Sequence, residues 1–376
     1  MKRYFIVKEY FGSRVYDSLN QTEEYYNIEE TKELEKKLKN RYIEINNSRI
    51  GVMSSPLKIS MNLTKKCNLR CKQCFTESGM LQNEELTTDE IFSLFDQMRQ
   101  YGTFFICLGG GEPLTRLDLL DILEYGRKKQ LAISVVSNGL LLSKDYIEKL
   151  NEKRLDTFWI SLDGLEENHE KLRGKGTYSK ALSAIELLKD NFNGKKAIRV
   201  TLNKYNLDDY KELIKLAEDY QMDIIRITPL IPYGRAKGKG LEISQKEYIE
   251  FLNEISKIQS SVKVIFPGSP SKDKPWVCTN GFGCHCGKEA MWIDAFGNCS
   301  PCYFWGEDYQ IGNIKNEKFI DIWNQSLQKS IIKGNDVCKK CKHYKVCRGG
   351  CRARSLYLFG NLDEVDPLCP LKRNKS

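Results

Sequence analysis

Between about residues 57 and 230 the chain repeats strand, loop and helix six times, and few architectures accept such a run. The candidate strands are Leu57–Met61, Phe104–Leu108, Ala132–Ser137, Phe158–Leu162, Ile198–Leu202 and Ile224–Thr228. Each is a short apolar stretch rich in β-branched or aromatic residues, the pattern of a strand covered on both faces. Helical patterns lie between them. In the clearest, Thr87 to Glu90 forms a capping box, Ile91, Leu94, Phe95 and Met98 recur at helical spacing, and Gly102 supplies a stop. Units of this kind, joined by right-handed crossovers, build a parallel sheet that curls toward a barrel. Six units rather than eight predict an α/β fold, a partial (β/α)6 barrel of TIM-like character. In such folds the loops after the strands share one face, and active sites gather there.

Those loops carry chemistry in register. After the first strand come Cys67, Cys71 and Cys74 in the run CNLRCKQC; after the second comes Gly109-Gly-Gly-Glu-Pro113. Then follow Ser137-Asn-Gly139, Ser161-Leu-Asp-Gly164, Asn203, and Pro229 to Gly234. Three thiols from one short loop can wrap one metal cluster. A [4Fe–4S] cluster needs four ligands, so three cysteines leave one iron open to something other than protein. A structural zinc site is the competing reading, but zinc usually brings paired CxxC motifs or histidine partners. The glycines before Glu112 let backbone approach a ligand closely, and its carboxylate can hold a cationic amine.

The CxxxCxxC run after an apolar strand, with GGEP after the next, resembles the radical S-adenosylmethionine (radical SAM) superfamily. The resemblance implies that the open iron is chelated by the amino and carboxylate groups of SAM. It implies that Gly110, Gly111, Glu112 and Pro113 hold the methionine amino group. Ser161 and Arg173 resemble residues that hold the ribose and carboxylate, and Ser137 and Asn203 fit the rim of that pocket. For these four, a loop cap or turn residue is the alternative reading.

A second pattern lies in the tail. Cys286 is followed by Gly297 and Cys302, then by Cys338, Cys341, Cys347 and Cys351 at CxxCx5Cx3C spacing, and finally by Cys369. This resembles the SPASM domain, which binds two auxiliary [4Fe–4S] clusters. By that resemblance Cys338, Cys341, Cys347 and Cys369 ligate the outer cluster, and Cys286, Cys302 and Cys351 the inner one. The fourth inner ligand is Cys278 or Cys284, or that iron is open. Zinc in the tail is again the structural alternative. Cys107, inside an apolar strand, reads as core.

The expected organisation is therefore an N-terminal extension at 1–56, the barrel at 57–235, a linker helix and strand at 236–277, and the cysteine-rich domain at 278–376. In the extension, Tyr4–Val7 and Arg14–Tyr16 read as a β-hairpin and Thr31–Lys39 as a charged helix, too little for an independent core. The tail is punctuated by Gly and Pro and is expected to be held by metal rather than by apolar burial. The formal charge of +9 falls to roughly +4 once cluster thiolates are counted. No basic stripe with interleaved aromatics accompanies it, so no nucleic-acid partner is expected. The 14 cysteines come without a secretory signal or a long apolar span, which predicts cluster ligands in the cytoplasm and no membrane association. With three histidines, His169, His285 and His343, imidazole-rich metal chemistry is not expected.

The resemblance implies reductive cleavage of SAM by an electron from a low-potential flavodoxin or ferredoxin, and hydrogen abstraction by a 5′-deoxyadenosyl radical. The expected substrate is a peptide or protein, as for maturases of ribosomally made peptides, because a strand edge in the extension can pair with an extended leader. The extension is short for a complete leader-recognition domain, so a separate recognition protein is expected. Anaerobic sulfatase maturation is a competing reading, but Tyr303 stands where those enzymes carry an Asp. Haem-pathway decarboxylation is another. A simple iron–sulfur electron carrier is a third, and it has no use for the GGEP loop. No catalytic acid or base is assigned.

Overall fold

The computed structural model describes residues 2–47, 53–80, 84–267, 284, 286–329 and 335–371. The N-terminal segment forms β1 (Tyr4–Glu9), β2 (Gly12–Asp17), β3 (Thr22–Asn27) and β4 (Tyr42–Asn46), with the helix Ile28–Leu38 between the last two. These strands make a four-stranded sheet in the order β3-β2-β1-β4. The expected hairpin is thus half of a larger unit. β3, TEEYYN, escaped notice because its charged residues give no apolar run. The unit leans on the barrel: Phe104 stacks on Tyr16 at 4.3 Å and meets Phe5 at 5.1 Å. Phe5, Val7 and Tyr16 thereby belong to the barrel's own core.

The six expected strands all form: β5 (Lys58–Thr64), β6 (Phe105–Gly110), β7 (Ala132–Ser137), β8 (Thr157–Ser161), β9 (Lys195–Leu202) and β10 (Ile224–Pro229). They pair in parallel in sequence order. The sheet continues at both ends. β11 (Lys263–Ile265) adds in parallel to β10, and β12 (Ala290–Ile293) adds in parallel to β5. β13 (Asn298–Ser300) and β14 (Gly312–Asn313) follow β12 in antiparallel order. One ten-stranded sheet, β11-β10-β9-β8-β7-β6-β5-β12-β13-β14, therefore runs through linker, barrel and tail. β11 is the strand expected in the linker, whereas β12, four residues long, is too short to announce itself by periodicity.

The helices form for the reasons their ends suggest. Thr87 and Glu90 exchange the two capping-box hydrogen bonds, and Gly102 closes the helix Thr88–Tyr101 in the left-handed region. That helix buries Ile91, Leu94, Phe95 and Met98 against the sheet, each such side chain contributing about 1.5–3 kcal/mol. Along the central strands, residues facing the helices are buried, as in Ile198, Val200 and Leu202 of β9. Those facing inward are only half-buried, including Ser60, Cys107, Ser134, Trp159, Arg199 and Arg226. A closed eight-fold barrel packs its centre with apolar side chains; this partial one keeps a lumen open to water. Cys107 is a correction, since it faces that lumen in register with Ser60 and Ser134 rather than the core.

Candidate active site at the barrel mouth and its auxiliary cysteines

The cysteine loop leaves β5 and is fixed by main-chain hydrogen bonds before any metal is considered. Cys67 N–H donates to Gly79 C=O at 2.8 Å, Gly79 N–H to Lys65 C=O at 2.8 Å, and Lys72 N–H to Leu172 C=O at 2.8 Å. From the loop after β10, Arg235 donates through Nε to Cys71 C=O at 2.9 Å and through a terminal nitrogen to Ser78 C=O at 2.8 Å. Gly234 makes this approach possible. Its φ is +61°, and a Cβ there would stand 2.6 Å from Phe75 O and 2.7 Å from Cys74 O. Burial pushes the Cys67 thiol up to about 11, and it raises Cys71 against the pull of Arg173. Buried thiols of this kind become ligands when a metal replaces their protons.

Glu112 is fully buried beside this loop. Its carboxylate accepts from Ser137 Oγ at 2.8 Å, Asn138 N–H at 2.8 Å and Leu114 N–H at 3.1 Å. All three donors are neutral, so burial still wins and raises the carboxyl above its ordinary range. Gly111 brings this segment against the cysteine loop, where a Cβ would stand 2.0 Å from Lys66 O. Ser137 therefore acts on Glu112, and Asn138, which the sequence reading passed over, ties Glu112 to the loop by donating to Asn68 Oδ1 at 2.7 Å.

Arg173 ends the helix Glu166–Arg173 with its guanidinium between Asp163 and Cys71. Its Nε lies 2.8 Å from Asp163 Oδ2, and a terminal nitrogen lies 2.7 Å from the same oxygen. Asp163 also accepts from Gln73 Nε2 at 2.6 Å and from Thr201 N–H at 2.7 Å. Burial opposes the charge on Asp163, but Arg173 and these donors outweigh it and hold the carboxyl below its usual range. Ser161 reaches the mouth at the end of β8. Asn203 does not join these groups: its amide donates to Thr201 C=O and accepts from Tyr205 N–H, which spends it on a turn. Asp163, Gln73 and Arg235 were missed, though Asp163 lies in the loop Ser161-Leu-Asp-Gly164 and Gln73 in the run CNLRCKQC.

The tail sorts its cysteines into two groups. Cys286 faces Cys284, Cys302 and Cys351, and its thiol is raised well above the ordinary value among them. Cys284 and Cys351 also interact with each other. Four thiols thus converge, with Cys284 the member that sequence spacing left open; Cys278 lies outside the described residues. Cys338 faces Cys369, Cys347 and Cys341, giving a second group of four. Between the inner group and the barrel loop stand Phe75, Trp292, Tyr303 and Phe304, with Phe75 and Tyr303 edge to face at 5.1 Å. Burial in this cluster pushes the Tyr303 hydroxyl well up, so it stays protonated and is not available to take up a proton.

The residues fit the groups the sequence implied. Three loop thiols leave a four-iron cluster one ligand short, and beside them lie Glu112, a buried carboxylate with no ion-pair partner among the described residues, and a buried, unpartnered donor, Asn62 Nδ2. Among the described residues no three His, Cys, Asp or Glu side chains converge as a single metal ion requires. A cluster of four irons instead spreads its thiolates around a larger body.

Comparison with known proteins defines the class. Residues 61–217 match the radical SAM superfamily, and residues 284–352 match SPASM, an iron–sulfur cluster-binding domain. An AdoMet-dependent heme synthase of Methanosarcina barkeri is 30% identical over 355 residues, covering 87% of this chain and 99% of that protein. The mycofactocin maturase MftC of Mycolicibacterium smegmatis is 27% identical over 332 residues, covering 84% and 83%. In fold, the chain is similar to Streptococcus suis SuiB bound to its precursor peptide SuiA, with a TM-score of 0.76 and 16% identity over 97% of this chain and 98% of that one. The chain belongs to the radical SAM superfamily, in the branch that carries a SPASM domain. It is an enzyme whose cofactors are a SAM-bound [4Fe–4S] cluster and two auxiliary [4Fe–4S] clusters. Among the described residues no helix is long and apolar enough to cross a membrane.

Proposed function

We propose that this enzyme is a maturase of a ribosomally made peptide. Cys67, Cys71 and Cys74 hold the first cluster, and Glu112 takes the amino group of SAM while Ser137 and Asn138 keep its carboxylate aimed. Pro113 sets the turn, Ser161 lies on the rim, and Arg173 closes the pocket from the side of Cys71. Cys284, Cys286, Cys302 and Cys351 hold the inner auxiliary cluster, and Cys338, Cys341, Cys347 and Cys369 the outer. When bound, the cluster and SAM supply hydrogen abstraction from an unactivated carbon. The protein's part is to aim that carbon at the mouth and keep water out. The electron comes from a flavodoxin or ferredoxin in the cytoplasm, and a separate protein assists leader recognition.

The observation that carries a peptide client is the N-terminal sheet, whose edge strand β3 pairs, among the described residues, on one side only, with β2. An extended leader can add there by main-chain hydrogen bonds. The test is to incubate reconstituted enzyme with SAM, dithionite and the peptides encoded beside its gene, and to follow peptide mass. Loss of hydrogen from one peptide, with 5′-deoxyadenosine released in step, is expected. Unchanged peptides together with decarboxylation of an iron coproporphyrin would instead establish the second reading, haem-pathway chemistry, which the 30% identity to a heme synthase favours. Formylglycine formation is disfavoured because Tyr303, with its hydroxyl pushed up, replaces the carboxylate base.

A further inference from the structure

The lumen beneath the mouth holds three cations that no acid balances. Lys58 on β5, Arg199 on β9 and Arg226 on β10 belong to the inward-facing rows of the sheet, and Arg199 and Arg226 are direct neighbours in register. No ion pair or side-chain hydrogen bond engages any of the three among the described residues. Arg226 Nε is buried without a partner, and its guanidinium lies 5.4 Å from the centre of the Trp159 ring. Lys58, at the start of β5, is exposed to water at the edge of this space, and desolvation by the surrounding protein together with the charge of Arg226 lowers its pKa. The nearest acid it feels, Glu289, is turned to Arg348 at 3.4 Å. Cys107 shares this space, acting on both Lys58 and Arg226.

Arg199 and Arg226, unpaired, half-buried and side by side, cost stability, and folded proteins seldom keep such cations without use. Their depth is informative. Arg199 lies two residues before Thr201, whose N–H supports Asp163 and through it Arg173 at the mouth. Two residues along a strand span about 6.6 Å. Arg199 stands in register with Ser161 at the end of β8, so a group bound between Arg199 and Arg226 lies just inside the mouth.

We propose that Lys58, Arg199 and Arg226 form a substrate subsite for a carboxylate carried on a short carbon arm. Arg226 and Arg199 take the carboxylate oxygens as a charge-assisted pair, and Lys58 adds a third donor from the opposite wall. The arm spans the short distance from this subsite to the mouth, so the carbon attacked is a few bonds from the carboxylate. An acidic residue of a peptide and a propionate of a tetrapyrrole both present this chemistry. The inference rests on the radical SAM reading of the mouth and names the substrate class that the mouth acts on.

The test uses reconstituted holoenzyme with SAM bound and titrates two probes by calorimetry, the peptide Gly-Glu-Gly-Glu-Gly and coproporphyrin III. Gly-Gln-Gly-Gln-Gly is the uncharged control, and both peptides are N-acetylated and C-amidated so that only the Glu side chains carry carboxylate. Binding of one carboxylate probe, weakened at least ten-fold by Arg226→Gln and by Arg199→Gln but not by Lys257→Gln on the surface, is expected. Whichever probe binds identifies the source of the carboxylate. A thermal melt gives a second readout. Arg226→Met should raise the melting temperature of ligand-free enzyme, because it removes an unpaired cation; a structural arginine would lower it. Equal affinity for the Glu and Gln peptides with no porphyrin binding, or probe affinity unchanged in both arginine variants, overturns the subsite. So does a lowered melting temperature. The parental enzyme's release of 5′-deoxyadenosine is measured in the same preparation. Its absence alongside arginine-dependent binding defeats the reading of the mouth and leaves the subsite standing.

Discussion

The mouth and the tail both gather cysteines, but different forces hold them in place. At the mouth, the backbone of the loop is already tied to Gly79, Leu172 and Arg235, and behind those stand long strands and a shared apolar core. In the tail, the elements carrying the outer group are helices of four residues, Asp336–Lys339 and Tyr344–Cys347. Few large apolar side chains are buried around them. The Arg354–Asp366 pair at 2.6 Å and the N–H of Cys351 on Asp366 at 2.6 Å supply local order. Metal at the mouth occupies a formed site, whereas metal in the tail completes the fold around it. The contrast predicts opposite consequences of losing a cluster.

The largest effect belongs to the mouth. Replacing Cys67, Cys71 and Cys74 together by Ala should abolish 5′-deoxyadenosine formation while the barrel keeps its melting temperature within a few degrees. Iron should fall from about twelve to about eight atoms per chain, as expected for three four-iron clusters reduced to two. Residual SAM cleavage above background would show that the loop is not where SAM is activated.

A smaller but wider effect is expected from Cys338→Ala with Cys341→Ala. Loss of the outer cluster should open residues 335–371 to limited proteolysis and leave a resistant core reaching through β14, which the ten-stranded sheet holds. Conversion of the client should fall at least ten-fold, with some uncoupled SAM cleavage surviving. If the tail stays protease-resistant without its metal, apolar packing holds it after all and the contrast with the mouth collapses.

What could be read in advance follows the same division. Ligand chemistry fixes spacing, so the cysteines and the GGEP loop were legible from the sequence. Long strands with apolar rows were legible too. β11 was legible only as a strand of the linker with no partner assigned, and β12 not at all, because four residues carry no periodicity and its place is set by pairing with a distant strand. Cys107, Arg199 and Arg226 were hidden for another reason. They sit in strands whose helix-facing rows are so apolar that each strand read as buried on both sides. Only the partial closure of the barrel exposes the inner row. Arg235 was invisible because its role depends on Gly234 letting two loops far apart in sequence touch. Asn203 suits a rim by its position in the chain, while its amide is spent on the turn, the alternative the sequence left open.

The smallest predicted effect tests whether the barrel floor answers to pH independently of metal. Asp156, just before β8, accepts from Ile133 N–H at 2.6 Å and lies 3.7 Å from Arg127. Burial pushes its carboxyl from 3.8 up to about 6, against the pull of that N–H and of Arg127. A carboxyl raised in the folded state binds its proton more readily there than in the unfolded chain. It therefore favours folding below about pH 4, and that contribution is lost as pH rises through about 6. Asp156→Asn keeps an acceptor for Ile133 without the buried charge. The variant should match the parent near pH 4 and exceed it by about 1–3 kcal/mol above pH 6, the size of the shift less what Arg127 loses. Melting curves of both proteins from pH 4 to 8, with iron content followed, provide the check. Parallel profiles would mean that Asp156 titrates as it does in the unfolded chain. A difference that tracks iron loss would place the pH dependence of the whole molecule in its clusters, and the barrel would no longer stand apart from the tail.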